Sequence, residues 1–551
     1  MPLFHKRTSA EAAKSTLNVY APLKIPLFAW QKDCLDIWFR NQGKGVVNVV
    51  TGAGKTILAL GAISRLEHLN PKQKPALKIK IVVPKVFLAN QWVKNLQDYL
   101  AVSKNDIGVY SGIRKDPPTR KYMIYVVNSA RTTLARHILD DYHRGSSIFL
   151  IADECHHYGS PENSRIFKFI TQIPIQDQAP YYYALGLSAT PETANFNEKL
   201  LPALGPEIYK YGFVEALNAN IISSFAIFNI KLYFTPNEVF QYMDISERLT
   251  HVLETLMYRC PFLKGLTKQR YFAKLEQLAQ SSEDENIGAL ARSVLILANR
   301  RKDVVYMAES RISCVNNLVT QLPRNSKIMV FCERIVIANT MYEQLQYLFP
   351  GQVGRYHSEM DELNRKEILR KYHDAQIRIL VSCRALDEGL NVPSTDIGII
   401  ASSTSSTRQR IQRLGRILRQ SDVRHTAKLY YLYIGSSNEE KDLLSEISRD
   451  LTGIIPIQDL EYDHDYQTFH HASYQILADR VIAYTQHKRW NTKIITEITK
   501  NLELGKLGCD WWLSEQDCRL KIKSAPSRSE QNYWVTMRLL VQASLGRLAN
   551  E

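Results

Sequence analysis

This 551-residue sequence predicts an α/β fold class with two parallel-sheet domains, a helical insertion between them and a mainly helical C-terminal region. Short β-branched runs alternate with amphipathic stretches from about residue 46 to 190, as in βαβ units. The same alternation returns from about residue 327 to 435. Residues 236–320 instead place apolar residues three and four positions apart, which is the helical period. The predicted domains are therefore residues 1–215, 216–320 (connecting segment and insertion), 321–455 and 456–551.

The composition is that of an ordinary globular protein with a basic surplus. Hydrophobic residues make up 45% and charged residues 23% of the chain, which excludes fibrous and disordered classes. The 70 Lys and Arg residues exceed the 55 Asp and Glu residues and leave a formal charge of +15. Such a surplus favours a polyanion such as nucleic acid through counterion release, although a basic surface without a partner fits the charge equally well.

Neither disulfides nor a membrane anchor are indicated. The eight cysteines are scattered and no pair has CxxC spacing, so a zinc ribbon or a disulfide framework is not expected and a reducing compartment fits best. The N-terminal segment lacks the apolar core of a signal peptide, and no apolar run approaches a membrane span. We expect a soluble protein without membrane contact, cytoplasmic or, in a eukaryotic cell, nuclear.

A glycine-rich loop follows the first predicted strand. Residues 51–56 read TGAGKT, between the strand VVNVV and the helical stretch ILALGAISRL, which is the setting of a phosphate-binding loop. Lys55 would reach the β- and γ-phosphates, and the Thr56 hydroxyl would ligate Mg²⁺. A chance glycine-rich turn is the weaker alternative because strand and helix are both in place. The backbone N–H groups expected at the phosphates belong to Thr51, Gly52, Ala53 and Gly54.

Two adjacent carboxylates end another predicted strand, IFLIADE. Asp153 and Glu154 would thus lie at the carboxyl end of a strand, where α/β sheets bind ligands. Asp153 would hold Mg²⁺ through its water shell, and Glu154 would orient and deprotonate the attacking water. Capping of the helix or loop that follows is the structural alternative for both acids.

The order of these motifs resembles that of superfamily 2 helicases and translocases. DECH at residues 153–156, followed by LSATP at 187–191, resembles motifs II and III of that family. The resemblance implies that the Ser188 and Thr190 hydroxyls couple ATP hydrolysis to nucleic-acid binding. It also implies two RecA-like domains that share one ATP site, with ATP and Mg²⁺ as cofactors and nucleic acid, expected to be DNA, as the track.

The branch of the family is indicated by residues 209–232, which look like the domain-crossing segment of XPB-like, RadD-like and UvsW-like motors. Those motors act mostly on DNA. The whole resemblance covers roughly residues 20–440 and stops before the C-terminal region.

Two stretches of the second domain extend the resemblance. QRLGRILR at 412–419 resembles motif VI, whose arginines reach the γ-phosphate as fingers when the domains close; a solvated basic helix or a nucleic-acid contact patch is the alternative. LDEGLNVP at 386–393 resembles motif V, in which Asn391 replaces the usual acid and implies a weaker or different contact. The residues concerned are Gln412, Arg416 and Arg419 at the γ-phosphate, and Gly389 and Asn391 at the nucleotide.

Other stretches resemble the family at single positions. FAWQ at 28–31 resembles the motif in which a glutamine reads the adenine edge, so Gln31 is the candidate, although Phe28 stands where many relatives have Arg. Small hydroxyl, amide and basic groups suit phosphate contacts on nucleic acid, and a plain structural role is the alternative for each. These candidates are Pro84, Lys85, Asn128, Ser129, His357, Ser358, Ser382 and Arg384.

Three functional hypotheses remain open at this point. The first is an ATP-dependent DNA helicase or double-stranded DNA translocase, and the second is an RNA helicase. The third is the motor subunit of a multi-protein defence, restriction or repair assembly, which docks partners through the insertion or the C-terminal region. That region holds Trp490, Trp511, Trp512 and Trp534.

Overall fold

The structure is a computed structural model, and the chain divides near Ala216 into two compact units. The residues that it describes are 22–69, 75–173, 180–193, 195–222, 225–383, 395–402, 427–440, 455–471, 474–507 and 515–548.

The first unit contains a seven-stranded sheet. Its strands are β1 (Lys44–Val49), β2 (Leu77–Val83), β3 (Ile107–Tyr110), β4 (Tyr122–Val126), β5 (Ser147–Asp153), β6 (Tyr182–Ser188) and β7 (Glu207–Tyr211). They lie in the order β3-β4-β2-β5-β6-β1-β7 and every pairing is parallel. All seven residues of β5 are buried, as expected of a parallel sheet whose two faces are both covered.

Helices connect these strands and bring the loops to one edge. They are α1 (Ala29–Arg40), α2 (Lys55–Leu69), α3 (Val86–Leu100), α4 (Val127–His143) and α5 (Leu201–Leu204), and α6 (Phe213–Asn218) follows β7. Since the strands are parallel, the loops that follow β1, β5 and β6 open at the same edge. In that edge β6 lies between β1 and β5.

The second unit contains an eight-stranded sheet. Its strands are β8 (Phe225–Leu232), β9 (Ile328–Cys332), β10 (Val353–Tyr356), β11 (Ile379–Cys383), β12 (Ile397–Ile400), β13 (Ala427–Ile434), β14 (Ile457–Asp463) and β15 (Thr468–His471). The order is β10-β11-β9-β12-β13-β8-β14-β15, parallel throughout except for the antiparallel pair β14–β15. The predicted fold class, with two parallel-sheet α/β domains, is confirmed.

A helical insertion separates β8 from β9. Its helices are α7 (Pro236–Arg259), α8 (Lys268–Ser281) and α9 (Glu285–Tyr306). Thr235 begins α7 with a capping box to Glu238, which satisfies backbone groups at both ends of the first turn. Buried side chains such as Leu249, Leu256 and Val294 form an apolar core of the insertion's own.

The remaining helices of the second unit are α10 (Glu309–Gln321), α11 (Ile335–Leu348), α12 (Glu362–His373), α13 (Tyr474–His487), α14 (Thr492–Leu507), α15 (Glu515–Ser524) and α16 (Arg528–Ser544). No helix in the described ranges combines the length and the apolar character needed to cross a membrane.

The C-terminal region shares the core of the second sheet, which the sequence did not indicate. The range 456–551 is mainly helical, as expected, but it begins with β14 and β15, which belong to the same sheet as β13. Met537 and Leu540 of α16 are fully buried in the same apolar cluster as Leu432 of β13. Trp534 is only 6% exposed and therefore belongs to the core.

Deleting residues 456–551 is consequently expected to prevent the second unit from folding. The deletion removes two strands and a buried helix, and each lost Met or Leu side chain in such a core costs about 2–5 kcal/mol, against a total stability of about 5–15 kcal/mol. Soluble yield and the thermal unfolding transition measure this. As a control, replacing Tyr466, which is 79% exposed, by Ser should leave both unchanged. A truncated chain that unfolds cooperatively in two transitions would contradict the shared core.

Candidate nucleotide-binding site

The glycine-rich loop has the backbone that a phosphate cradle requires. Gly52 and Gly54 have φ angles of +94° and +96°, a region that favours glycine. Helix α2 begins at Lys55, so its first N–H groups point towards the loop. The Oγ1 atom of Thr51 is buried and has no hydrogen-bond partner among the described residues. The Thr51 hydroxyl is thus available to a phosphate oxygen.

Asp153 is held at the end of β5 by two hydrogen bonds. The indole Nε1–H of Trp92 donates to Oδ2 at 2.8 Å, and the Glu154 N–H donates to Oδ1 at 3.1 Å. Burial, with a contribution from the Glu154 charge, raises the pKa of Asp153 to about 6. A buried carboxylate of this kind is suited to a cation, which would favour its charged form.

Glu154 adopts a strained backbone beside it. Its φ and ψ angles are 49° and 50°, in the left-handed region, where a non-glycine residue costs on the order of 1–3 kcal/mol. The hydroxyl of Tyr158 donates to the Asp153 carbonyl at 2.8 Å, and the His157 N–H donates to the Glu154 carbonyl at 3.0 Å. These bonds hold the two acids in a fixed turn.

Lys55 lies between the loop and the acids. Its Nζ is 3.8 Å from Glu154 Oε1 and donates to the Val49 carbonyl at 3.3 Å. The fold therefore brings together the lysine and the two carboxylates that the sequence analysis identified. Lys55 and Glu154 are 99 positions apart in the sequence.

A series of close side-chain contacts links the acid pair to the end of β6. His156 Nδ1 lies 3.5 Å from Glu154 Oε2 and 2.9 Å from Ser188 Oγ. Ser188 Oγ in turn accepts the Thr190 N–H at 3.0 Å. The sequence drew attention to Ser188 and Thr190 but gave His156 no role of its own, although its place beside the acids was a usable signal.

Comparisons with known proteins match this arrangement. Residues 24–193 match the family described as "Type III restriction enzyme, res subunit", and residues 310–421 match the "Helicase conserved C-terminal domain"; together they cover about half of the chain. The DNA 3'-5' translocase XPB2 of Sulfurisphaera tokodaii is 28% identical over 402 residues, which are 72% of this chain and 80% of XPB2. The chain belongs to the superfamily 2 helicases, in the XPB-like branch.

Other relatives of this helicase are more distant. The putative DNA 3'-5' helicase Rad25 of Haloarcula marismortui is 22% identical over 400 residues, 72% of this chain but only 51% of Rad25. The DUF1998 helicase MrfA in its DNA-bound structure is 15% identical with a TM-score of 0.51, over 79% of this chain and 50% of MrfA. An HsdR fragment from Vibrio vulnificus is 14% identical with a TM-score of 0.50, over 81% of this chain and 70% of that fragment. These two structures support the two-domain helicase fold alone.

Gln31 of the helicase is placed differently from the expectation that it reads adenine. Its side chain is fully buried. Its Oε1 accepts the Phe28 N–H at 2.8 Å, and its Nε2 donates to the Gly54 carbonyl at 3.0 Å. The amide is thus directed at the glycine-rich loop, and in this arrangement no part of it is open to a base.

Two candidate nucleic-acid contacts of the first unit lie at helix N-termini on the same sheet edge. Lys85 is exposed at the N-cap of α3, and Asn128 is exposed in the first turn of α4. Ser129 is half-buried and Pro84 is buried. Helix N-termini attract phosphate, so Lys85 and Asn128 are the members of this set that are placed for a backbone contact.

The candidate nucleic-acid contacts in the second unit also include both exposed and buried residues. Ser358 is exposed just after β10, and neither ring nitrogen of the buried His357 has a hydrogen-bond partner within the described part of the chain. Ser382 is 1% exposed inside β11 and its hydroxyl donates to the Val330 carbonyl at 3.4 Å, so its predicted nucleic-acid contact is corrected to a structural role. Arg384, Gly389, Asn391, Gln412, Arg416 and Arg419 lie outside the described residues.

The described residues fit a nucleoside triphosphate with Mg²⁺. The Thr51 hydroxyl, which has no partner in the described part of the chain, and the two glycines offer a phosphate cradle. The buried carboxyl of Asp153 and the Thr56 hydroxyl in the first turn of α2 are oxygen ligands of the kind that Mg²⁺ prefers. Bound there, Mg²⁺ would offset the charge that develops on the phosphates.

The raised pKa of Asp153 predicts a pH-dependent Mg²⁺ requirement. As the pH falls through about 6, a proton competes for the carboxylate, so the Mg²⁺ concentration that gives half-maximal ATPase activity should rise, and excess Mg²⁺ should restore the rate. Mg²⁺ titrations at a pH of roughly 5.5 and 7.5 measure this. Trp92→Phe removes a donor that favours the carboxylate, so the rise should begin at higher pH. Equal Mg²⁺ requirements at both pH values would contradict it.

Proposed function

We propose that this helicase is an ATP-dependent DNA translocase or helicase that moves 3'-5' along one strand. The observation that carries the proposal is the chain of contacts from Lys55 through Glu154 and His156 to Ser188. These contacts lie at the same sheet edge as Lys85, the N-cap residue of α3, and Asn128 in the first turn of α4. The name of XPB2, a DNA 3'-5' translocase, supports DNA as the track and the direction of movement.

Each residue has a distinct task in the proposed cycle. Lys55 holds the β- and γ-phosphates, Asp153 and Thr56 hold the Mg²⁺, and Glu154 takes a proton from the attacking water. When that proton arrives, the charge of Glu154 beside His156 changes, and the His156–Ser188 hydrogen bond passes the change to β6. Gly389 and Asn391 contribute to the nucleotide site. Gln412, Arg416 and Arg419 stabilise the γ-phosphate when the domains close.

Arg419→Ala is expected to spare nucleotide binding and to lose hydrolysis. An arginine finger acts on charge that develops in the transition state and is worth about 10³–10⁵ in kcat. Equilibrium binding of a fluorescent ATP analogue and the steady-state ATPase rate separate the two effects. Arg424→Ala, at a nearby arginine without an assigned role, is the control. A large loss of affinity with little further loss of rate would remove the finger role.

The track is identified by the polymer that stimulates ATP hydrolysis. Duplex DNA, single-stranded DNA and RNA of equal length are compared in parallel, and we expect the largest stimulation with DNA. Displacement of a third strand from a triplex reports translocation on duplex DNA, while duplexes with a 3' or a 5' tail report unwinding and its direction. Stimulation by RNA alone would replace the proposal with an RNA helicase.

The partner assembly is a separate proposal that the same chain supports less directly. The family description of residues 24–193 names a restriction-enzyme subunit, and a soluble intracellular protein would meet DNA and partners in the same compartment. Co-purification of the tagged full-length chain, with DNA removed by nuclease, tests it. Recovery of the chain alone, with full DNA-dependent activity, would favour a self-sufficient motor.

A further inference from the structure

Helix α3 begins at the sheet edge where the acid pair lies. Strand β2 pairs with β5, the strand that ends in Asp153. Strand β2 ends at Val83 and α3 begins at Val86, with Lys85 exposed as its N-cap residue. One helix therefore starts at the position proposed for the DNA backbone, beside the strand end that holds the carboxylate proposed for Mg²⁺.

Trp92 connects this helix to the carboxylate. It lies seven residues after Lys85, which is close to two helical turns, and it is only 1% exposed. Its indole Nε1–H donates to Asp153 Oδ2 at 2.8 Å. The second donor to this carboxyl is the N–H of the adjacent Glu154. Within the described residues, Trp92 is thus the one hydrogen-bond donor to Asp153 that comes from another element.

The indole bond orients the Asp153 carboxyl and still leaves it open to a cation. An ionised carboxylate offers about four lone-pair sites, and the indole occupies one of them. Asp153 is 7% exposed, so little water is present to take the place of the indole N–H. Groups that orient a metal ligand in this way typically contribute about 10–100-fold in metal affinity or activity. A change in the position of Trp92 is therefore expected to change the affinity of the site for Mg²⁺.

Helix α3 is packed so that it moves as one body. It lies against β2 and β4, and Leu88, Ala89, Trp92 and Leu96 are buried along it. Packed helices respond to a ligand by small rigid displacements. A phosphate bound by Lys85 and the first N–H groups of the helix acts on its N-terminus, and a displacement there reaches Trp92.

We propose that Trp92 is a positioning residue for Asp153, and that DNA bound at the N-terminus of α3 acts through Trp92 to fix this carboxylate for Mg²⁺. The inference rests on the proposed function of the chain as a DNA motor and deepens it by naming a regulation of the ATP site by the track. The contact reaches the acid pair from β2, whereas the contacts of His156 and Ser188 reach it from β6, on the other side of β5.

The first test measures Mg²⁺ binding without nucleic acid and without turnover. A fluorescent, non-hydrolysable ATP analogue is bound at increasing Mg²⁺ concentrations, at a pH of about 8, well above the Asp153 pKa of about 6. Trp92→Phe removes the donor that orients the carboxylate. The Mg²⁺ concentration for half-maximal binding of the analogue should therefore rise by about tenfold.

Trp38→Phe is the matched control for this test. The Trp38 indole is fully buried in the same unit and donates to the carbonyl of Ala184, near the start of β6, at 2.9 Å. The variant loses a bond of the same kind but should keep its Mg²⁺ requirement, and melting temperatures report the loss of stability in both variants. Equal Mg²⁺ requirements in the two variants would make Trp92 a core residue only and overturn its positioning role.

The second test repeats the Mg²⁺ titration at saturating duplex DNA. In the unaltered protein, DNA should lower the Mg²⁺ requirement by about fivefold or more, the size of a typical coupling between two sites. Lys85→Ala and Trp92→Phe should each remove this effect, and the double variant should lose nothing further. Lys94→Ala, on the exposed face of the same helix, should keep it. Full coupling in either single variant would overturn the inference.

The third test observes Trp92 directly and needs no change in the protein under study. The chain has seven tryptophans, and with ¹⁵N-labelled tryptophan each indole N–H gives its own NMR signal. Loss of one signal in Trp92→Phe or Trp92→Tyr assigns it. Duplex DNA, added without nucleotide or Mg²⁺, should shift the Trp92 signal and leave that of Trp38 in place. An unmoved Trp92 signal in protein saturated with DNA would overturn the coupling.

These measurements keep the failure of this inference apart from the failure of the proposed function. DNA-stimulated hydrolysis with an unmoved Trp92 signal would defeat the inference alone. If RNA and not DNA stimulated hydrolysis and moved the signal, the DNA track would fail and the coupling would stand. If no nucleic acid bound, the motor and the coupling would fail together, while a raised Mg²⁺ requirement in Trp92→Phe would still establish the positioning of Asp153.

Discussion

Replacing Glu154 by glutamine is expected to trap the enzyme with ATP bound and to slow hydrolysis by about 10²–10⁴-fold, the usual contribution of a general base. Glutamine keeps the length of the side chain and, as a non-β-branched residue, tolerates the left-handed backbone as glutamate does. It cannot take the proton of the attacking water. It also loses the charge that faces Lys55 at 3.8 Å, so the lysine remains available to the phosphates.

Single-turnover hydrolysis with a large excess of enzyme measures the chemical step, and retention of labelled ATP after gel filtration measures the trap. Glu162→Gln, at a carboxylate that is 62% exposed, is the matched control and should turn over normally. If Glu154→Gln hydrolysed ATP at the normal rate, the general base would have to be assigned elsewhere.

Lys55→Ala is expected to abolish ATP-dependent activity. The Lys55 side chain is only 10% exposed and its ammonium group lies between Val49 and Glu154, so little water can replace it against the phosphates. The loss of one preorganised donor to a developing negative charge costs about 10²–10³ in kcat, and the loss of affinity adds to it. Asp153 would also be left without the neighbouring cation that favours its charged form.

The DNA-stimulated ATPase rate, with nucleotide affinity determined separately, measures this effect. Lys94→Ala, on the exposed face of α3, removes an equal charge from the same unit and should behave like the unaltered protein. A Lys55→Ala variant that retained a tenth of the stimulated rate would show that the loop is not the catalytic phosphate site.

The sequence predicted those parts of the site that depend on local order. A glycine-rich loop between strand and helix and an acid pair at a strand end are determined by neighbours within a few residues, and the structure places Lys55, Asp153 and Glu154 together. The partners across the fold were not predictable. Nothing in the apolar period of α3 indicates that Trp92 bonds to Asp153. Likewise, β11 is buried on both faces, so it has no alternation of apolar and polar residues from which the burial of Ser382 could be predicted.

The same distinction applies to the fold. Alternating periods identified two α/β domains and the helical insertion, because these are properties of short windows. They could not show that β8, placed before the insertion, lies between β13 and β14. Strand pairing over that separation depends on packing, and for this reason the two strands that begin the mainly helical C-terminal range were not predicted.

The position of β8 has a consequence for biosynthesis. Asn229 of β8 donates to Asp459 of β14, 230 residues further along the chain. At about 5–20 residues per second, the ribosome needs on the order of 10–50 s to make that partner. During this time the apolar strand FAIFNIKL has left the ribosome with both of its edges unpaired, which is a hazard for aggregation. We therefore expect nascent chains that are stalled after the insertion to be strong clients of chaperones that bind extended apolar segments, and chains released after β14 to escape them.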